Sequence, residues 1–127
     1  MSNGAVATNI GKQIALHRLG GDASLTEVSV FDIGTGTNTP AATDTTLQIP
    51  LSLNKPFLTG YPTYNDIDRR IIIRGQIFST EANGNTLTEV GVFNNDATKK
   101  LFARHVHDGI VKNNLTEIIY ELVYECP

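Results

Sequence analysis

The carboxylates Glu27, Glu89 and Glu117 recur at one point of a repeated pattern, and Asp66 and Asp68 flank Ile67. Paired carboxylates can serve glycoside hydrolysis, one as acid and the other as base or nucleophile. That chemistry also needs a long aromatic cleft, which is hard to build from four tyrosines, five phenylalanines and no tryptophan. The expected role is plainer: each glutamate pairs with an arginine such as Arg74 or Arg104 across strands or subunits, or accepts a backbone amide. His105 and His107 fall on one face of a strand with Asp108 next to them, near enough to be two metal ligands. A closed site needs two more, and His17 is the only other histidine, so solvated or interface histidines are expected and no metal site is assigned. Gly34-Thr35-Gly36-Thr37 lacks the Lys-Ser/Thr of a phosphate loop, and Pro40 interrupts any helix after it. Gly34 and Gly36, with Gly84, are assigned to structural turns, the first two as suppliers of backbone angles that other residues resist. Cys126 is the one cysteine, so no internal disulfide forms, and it is assigned no function. No catalytic residue and no cofactor are expected.

The elements that place these residues are organised by an internal repeat. Leu25-Thr26-Glu27-Val28-Ser29-Val30-Phe31-Asp32 returns 62 residues later as Leu87-Thr88-Glu89-Val90-Gly91-Val92-Phe93-Asn94, identical at six of eight positions. A weaker echo is Leu115-Thr116-Glu117-Ile118-Ile119-Tyr120-Glu121-Leu122. β-Branched and aromatic residues, period-two alternation and flanking turn residues make all three strands. The valine faces of the two repeats are expected to build the core, and the small Ser29/Gly91 position leaves room for something to approach. Residues 70–78 and 87–94 are expected to form a hairpin across Asn83-Gly84. A strand over 101–107, a turn at Asp108-Gly109 and a long strand over 115–125 follow, the last with Ile118, Tyr120, Leu122 and Tyr124 on one face. At the N-terminus, Asn9 is expected to cap a helix from Ile10 to Leu19, with Gly20 ending it in left-handed conformation; a strand over 13–18 is the alternative. Pro50, Pro56 and Pro62 recur every six residues, which bars the stretch from being a central strand. The reading is a mainly β chain, an antiparallel β-sandwich or small barrel, forming one domain over 1–127. It is divided into a short helix 9–20, a strand unit 25–47, an extended arm 48–66 and a strand unit 70–125. Pro50, Pro56, Phe57, Tyr61 and Tyr64 on the arm are the candidate interface.

Composition narrows the partners. Hydrophobic residues make up 40% and charged residues 18% of 127, which excludes a disordered or collagen-like chain. Ten Lys+Arg against thirteen Asp+Glu, a net charge of −3, leave no electrostatic footprint for nucleic acid. No apolar run approaches the roughly 18 residues that span a bilayer, and Met1-Ser2-Asn3-Gly4 lacks the basic and apolar regions of a signal peptide. A reducing, cytoplasm-like compartment is therefore expected, with neither nucleic acid nor membrane as partner.

The stretch Phe31-Asp32-Ile33-Gly34-Thr35-Gly36-Thr37-Asn38-Thr39-Pro40-Ala41-Ala42-Thr43-Asp44-Thr45-Thr46-Leu47 resembles a signature of small bacteriophage virion structural proteins of the tail-fibre and decoration type. Thr88-Glu89-Val90-Gly91-Val92-Phe93-Asn94 and then Leu101-Phe102-Ala103-Arg104 are similar to that family's second block, and Asn9-Ile10-Gly11-Lys12 with Leu19-Gly20 to its N-terminal block. Gln48-Ile49-Pro50 stands where the family commonly has a glutamate after the leucine. The resemblance implies a non-enzymatic subunit of the virion, assembled in the host cytoplasm. As a capsid decoration or cement protein, or a collar, tail or fibre-base component, it would contact other phage structural proteins as a homo-oligomer, a trimer favoured. The alternative is a receptor- or carbohydrate-binding module of a phage tail, using Tyr61, Tyr64 and the Asn-rich loops 83–85 and 94–96.

Overall fold

The computed structural model describes residues 5–125, so Cys126 lies outside the described residues. Among these residues, eight strands and one helix follow in the order β1 (Ala5–Ala7), α1 (Asn9–Leu19), β2 (Val28–Gly34), β3 (Lys55–Pro56), β4 (Thr63–Asn65), β5 (Arg70–Ile77), β6 (Thr86–Asn94), β7 (Leu101–Val111) and β8 (Ile118–Glu125). They form two antiparallel sheets, one of five strands ordered β1-β7-β6-β2-β3 and one of three ordered β4-β5-β8. The fold is a small mainly β sandwich with one short N-terminal helix.

Sequence alternation decides which faces meet. In β8, Ile118, Tyr120 and Leu122 are buried, while Ile119, Glu121, Val123 and Glu125 are exposed, as a sheet with one wet face requires. These side chains and Ile73 and Ile77 of β5 pack on Phe31, Ile33, Val90 and Val92 to form the main core. The large sheet is apolar on its outer face too, where Val30, Leu47, Phe93 and Leu101 form a second cluster. Leu47 belongs to the segment after β2, so a loop covers the face that a second sheet does not.

The two repeat copies lie side by side, β2 antiparallel to β6 with Phe31 opposite Val92 and Ile33 opposite Val90. They do not present the same face. The register shifts between Val28 and Val30, and such a bulge carries every later side chain to the other side of the sheet. Val90 and Val92 therefore enter the main core with Phe31, whereas Val30 joins Phe93 outside, which corrects the expected pair of valine faces. At Gly91, the groups that approach are Leu47 and Leu101, whose methyls would crowd any added Cβ.

The expected hairpin of 70–78 with 87–94 does not form: β5 pairs with β4 and β8, and β6 with β2 and β7. Asn83-Gly84 lies instead in a crossover between the sheets, with Gly84 at φ 86°, and buried Lys112 holds it. The Lys112 ammonium donates to Asn83 Oδ1 (2.8 Å), the Asn113 carbonyl (3.0 Å) and the Ser79 carbonyl (3.4 Å). A lysine with its charge satisfied by neutral oxygens gives no local pattern in the chain, so sequence reading passed over it. Asp108-Gly109 is no turn either, because β7 runs through it to pair Thr86 with Val111. The helix has the expected length, but Thr8 caps it, its hydroxyl accepting the Gly11 amide (2.9 Å). Gly20 is right-handed at φ −85°, and the left-handed residue is Gly21 at φ 72°.

Candidate interaction surface

Residues 35–62 form the longest segment with little regular structure, and buried carboxylates hold it at points between residues 36 and 53. Glu89, fully buried on the outer face of β6, accepts four hydrogen bonds. Its Oε2 takes the amides of Gly36 (2.8 Å) and Ile49 (2.8 Å), and its Oε1 takes the Gln48 amide (2.9 Å) and Arg104 Nε (2.8 Å). Burial pushes this carboxyl upward, yet the Ile49 amide, the Arg104 guanidinium and the Gln48 and Gly36 amides outweigh it and hold it below its ordinary value. Arg104, equally buried, also donates from Nη1 to the Asn38 carbonyl (3.3 Å) and to Asp44 Oδ2 (3.3 Å). Asp32, at the end of the first repeat, takes the Ser52 (3.0 Å) and Leu53 (2.9 Å) amides. Asn94, its counterpart in the second repeat, takes the Lys100 amide (2.9 Å). Each copy thus ends in a side chain that anchors the following loop.

The glutamate expectation holds in full at Glu89, which both pairs with arginine and accepts amides. Glu27, its counterpart, is exposed and lies 3.8 Å from Arg18, and Glu117 accepts the Gln76 side-chain amide (3.3 Å). Arg74 pairs with Glu121 (2.7 Å) rather than with a repeat glutamate. Gly34 and Gly36 are also placed differently from expectation. Neither has a positive φ; an added Cβ at Gly34 would strike the Ile49 carbonyl and at Gly36 the Gln48 side chain, and at both the Glu89 carboxylate. Close approach, not a special backbone angle, excludes a side chain there.

The stretch expected as an arm therefore lies on its own molecule. The Leu51 amide reaches the Ile33 carbonyl (2.9 Å), Lys55 and Pro56 pair with Phe31 and Val30, and the Leu58 amide reaches the Arg74 carbonyl (2.8 Å). Leu51, Leu53 and Phe57 pack against the main core. Residues 55–62 so cross from the large sheet to the small one and close one side of the sandwich. Lys55 fixes the crossing, donating to the Gln76 carbonyl (2.6 Å) and to Glu81, with its Nζ 4.0 Å from the Phe78 ring centre.

This crossing gathers four of the five candidate interface residues. Pro56, Phe57, Tyr61 and Tyr64 line one groove of about 510 Å³ together with Val28 and Ile71. Pro50 stands apart, exposed and bridged to Gly34. Tyr61 lies against the Arg74 guanidinium, 5.2 Å from ring centre to carbon, while Tyr64 is 69% exposed. Tyr64 and Ile71 also border a second groove of about 490 Å³, lined by Ala15 of α1 and by Phe102 and Tyr124. Tyr64 is the ridge between the two. Period-six prolines marked the segment in sequence, but Val28, Ile71 and Phe102 gave no local signal, because only the folding of distant strands brings them here.

His105 and His107 face inward and tie the sheets together. His105 Nε2 lies 2.7 Å from the Tyr124 hydroxyl, and His107 Nε2 lies 2.9 Å from that of Tyr120. His107 Nδ1 donates to the Asp108 carbonyl at 2.8 Å. Burial, with His107 adding to it, lowers His105 to about 4, and burial raises both tyrosines. Among the described residues no group of three or more His, Cys, Asp and Glu converges as a metal site would need. The arrangement defines a sandwich whose buried polar groups anchor loops and whose apolar groove is open at the surface. Compared with protein-family models, curated proteins and solved structures, the chain matches none.

Proposed function

We propose that this chain is a non-enzymatic structural subunit of a bacteriophage particle, a small accessory protein that stabilises the virion as capsid decoration or cement, or as a collar, tail or fibre-base component. The observation that carries this reading is the groove lined by Pro56, Phe57, Tyr61 and Tyr64, an apolar and aromatic surface held on a rigid crossing rather than on a free loop. Tyrosine and proline at a rigid, open site supply contact area with little ordering cost, as protein interfaces need. The buried charged groups agree with it: Glu89, Asp32 and Lys112 spend their hydrogen bonds on the protein's own loops. In a symmetric oligomer each modest contact is repeated, so a local opening does not release the subunit.

The test is to locate the protein in a density map of the intact virion and to measure its binding to particles lacking it. Joint replacement of Tyr61 and Tyr64 by alanine is expected to lower occupancy with the fold intact. A particle that contains no such subunit refutes the proposal. The two tyrosines sharing one groove also favour a second reading, a carbohydrate-binding module of a tail. The asparagine loops support it less, since Asn83, Asn85 and Asn94 already hydrogen-bond within the protein. Glycan-array binding lost on Tyr61→Ala or Tyr64→Ala, without retention on capsids, selects that module.

A further inference from the structure

The two sheets have four edges among the described residues, and three are short. β1 has three residues, β3 two with Pro56 among them, and β4 three. β8 has eight, and β5 is its one strand neighbour. Proteins usually guard such an edge with proline, charged side chains (lysine above all), a bulge or brevity, since its unpaired backbone groups template another strand. β8 is long, and its two exposed charges, Glu121 and Glu125, are each paired with an arginine of β5. Its sequence holds neither proline nor lysine, and its ladder with β5 runs unbroken from Arg70 opposite Glu125 to Ile77 opposite Ile118. The ladders of β6 with β2 and with β7 both shift, by contrast. The strand is also held rigid from beneath, where Tyr120 and Tyr124 meet His107 and His105.

Its solvent face reads Ile119, Glu121, Val123 and Glu125, with Ile119 (56% exposed) and Val123 (44% exposed) on either side of Glu121. We infer that β8 pairs antiparallel with β8 of a second copy about a two-fold axis at Glu121, joining two three-stranded sheets into one of six. In that register Ile119 of each copy lies opposite Val123 of the other, the kind of cross-strand pair that stabilises a sheet. The two Glu121 carboxylates meet at the axis, but each is already paired with Arg74 at 2.7 Å, so the row Arg, Glu, Glu, Arg carries no net charge. The outermost strands at the other three edges have only three, two and three residues, fewer than half of the eight, whereas β8 matches itself. This surface lies at the opposite edge of the small sheet from β4 and its groove, so it adds a self-association site to the role proposed above.

Sedimentation velocity of the full chain across a concentration series is the test. A monomer–dimer equilibrium is expected, and the double substitution Ile119→Lys and Val123→Lys is expected to move it at least about tenfold toward monomer. Tyr64→Ala leaves it unchanged. Circular dichroism checks that each variant folds. Independently of the lysine variant, Glu121→Cys in a Cys126→Ser background is expected to form an inter-subunit disulfide, because residues opposed at the axis come within bridging distance. Thr63→Cys at the β4 edge in the same background is the control and is not expected to cross-link. A monomer at every concentration, an oligomer indifferent to both lysines, or cross-linking no faster at position 121 than at 63 overturns the inference.

Discussion

Glu89→Gln removes one charge and nothing of the side chain's shape, and the structure fixes what that costs. The carboxylate has two donors on each oxygen, Gly36 and Ile49 amides on one, the Gln48 amide and Arg104 Nε on the other. Whichever way the glutamine amide turns, its NH₂ group faces two donors. Two buried hydrogen bonds are then lost, at about 1–3 kcal/mol each, and buried Arg104 loses its closest counter-charge. The expected destabilisation is roughly 3–5 kcal/mol, read as a shift in urea midpoint with little change in m-value. Hydrogen exchange localises it, since the Gly36, Gln48 and Ile49 amides are expected to lose protection first. The counterpart Glu27→Gln, exposed and 3.8 Å from its partner, is expected to stay within about 0.5 kcal/mol of the parent. The pH dependence supplies a second reading. The folded carboxyl lies below its ordinary value, so its stabilisation is present above about pH 4.3, the unfolded value, and is lost as pH falls through the folded one. Glu89→Gln removes that part of the acid limb. A loss under about 1 kcal/mol, or one no larger than that of Glu27→Gln, refutes the reasoning.

His105 is lowered to about 4, so the unfolded chain takes up its proton first on acidification. Its stabilisation is complete above pH 6.5 and drains away between 6.5 and 4, up to about 3 kcal/mol, and His105→Gln flattens that interval in urea titrations at stepped pH. Gly75→Ala would drive a methyl into three ring carbons of buried Phe31, and a cost of about 1–3 kcal/mol in the same assay is expected. Gly11→Ala opposes two effects: it raises helix propensity by about 1 kcal/mol, yet its methyl would collide with the Phe102 carbonyl. Net destabilisation in thermal melts is expected, and a stabilised variant refutes the docking geometry. Thr8→Ala removes the helix cap and is expected to cost about 1 kcal/mol by chemical denaturation.

Strand content, the antiparallel habit, the repeat and the span of the helix were legible in the chain, because alternation, β-branched residues and turn punctuation act over a few neighbours. Four of the five candidate residues on the proline-marked segment share one groove. Three things were not legible. The pairing of β5 with β8 rather than β6 depends on which sheet each strand joins, a choice settled by burial across the sandwich. The opposite facing of two nearly identical octads depends on one bulge at Val28/Val30. The different fates of Glu27 and Glu89 depend on whether a loop closes over them and removes water, which turns an ordinary surface charge into the anchor of residues 36–49. The sequence alone determined what each segment prefers to be, since those preferences are local. Tertiary structure alone decided which faces meet and which charges are buried, since those depend on contacts between residues far apart in the chain.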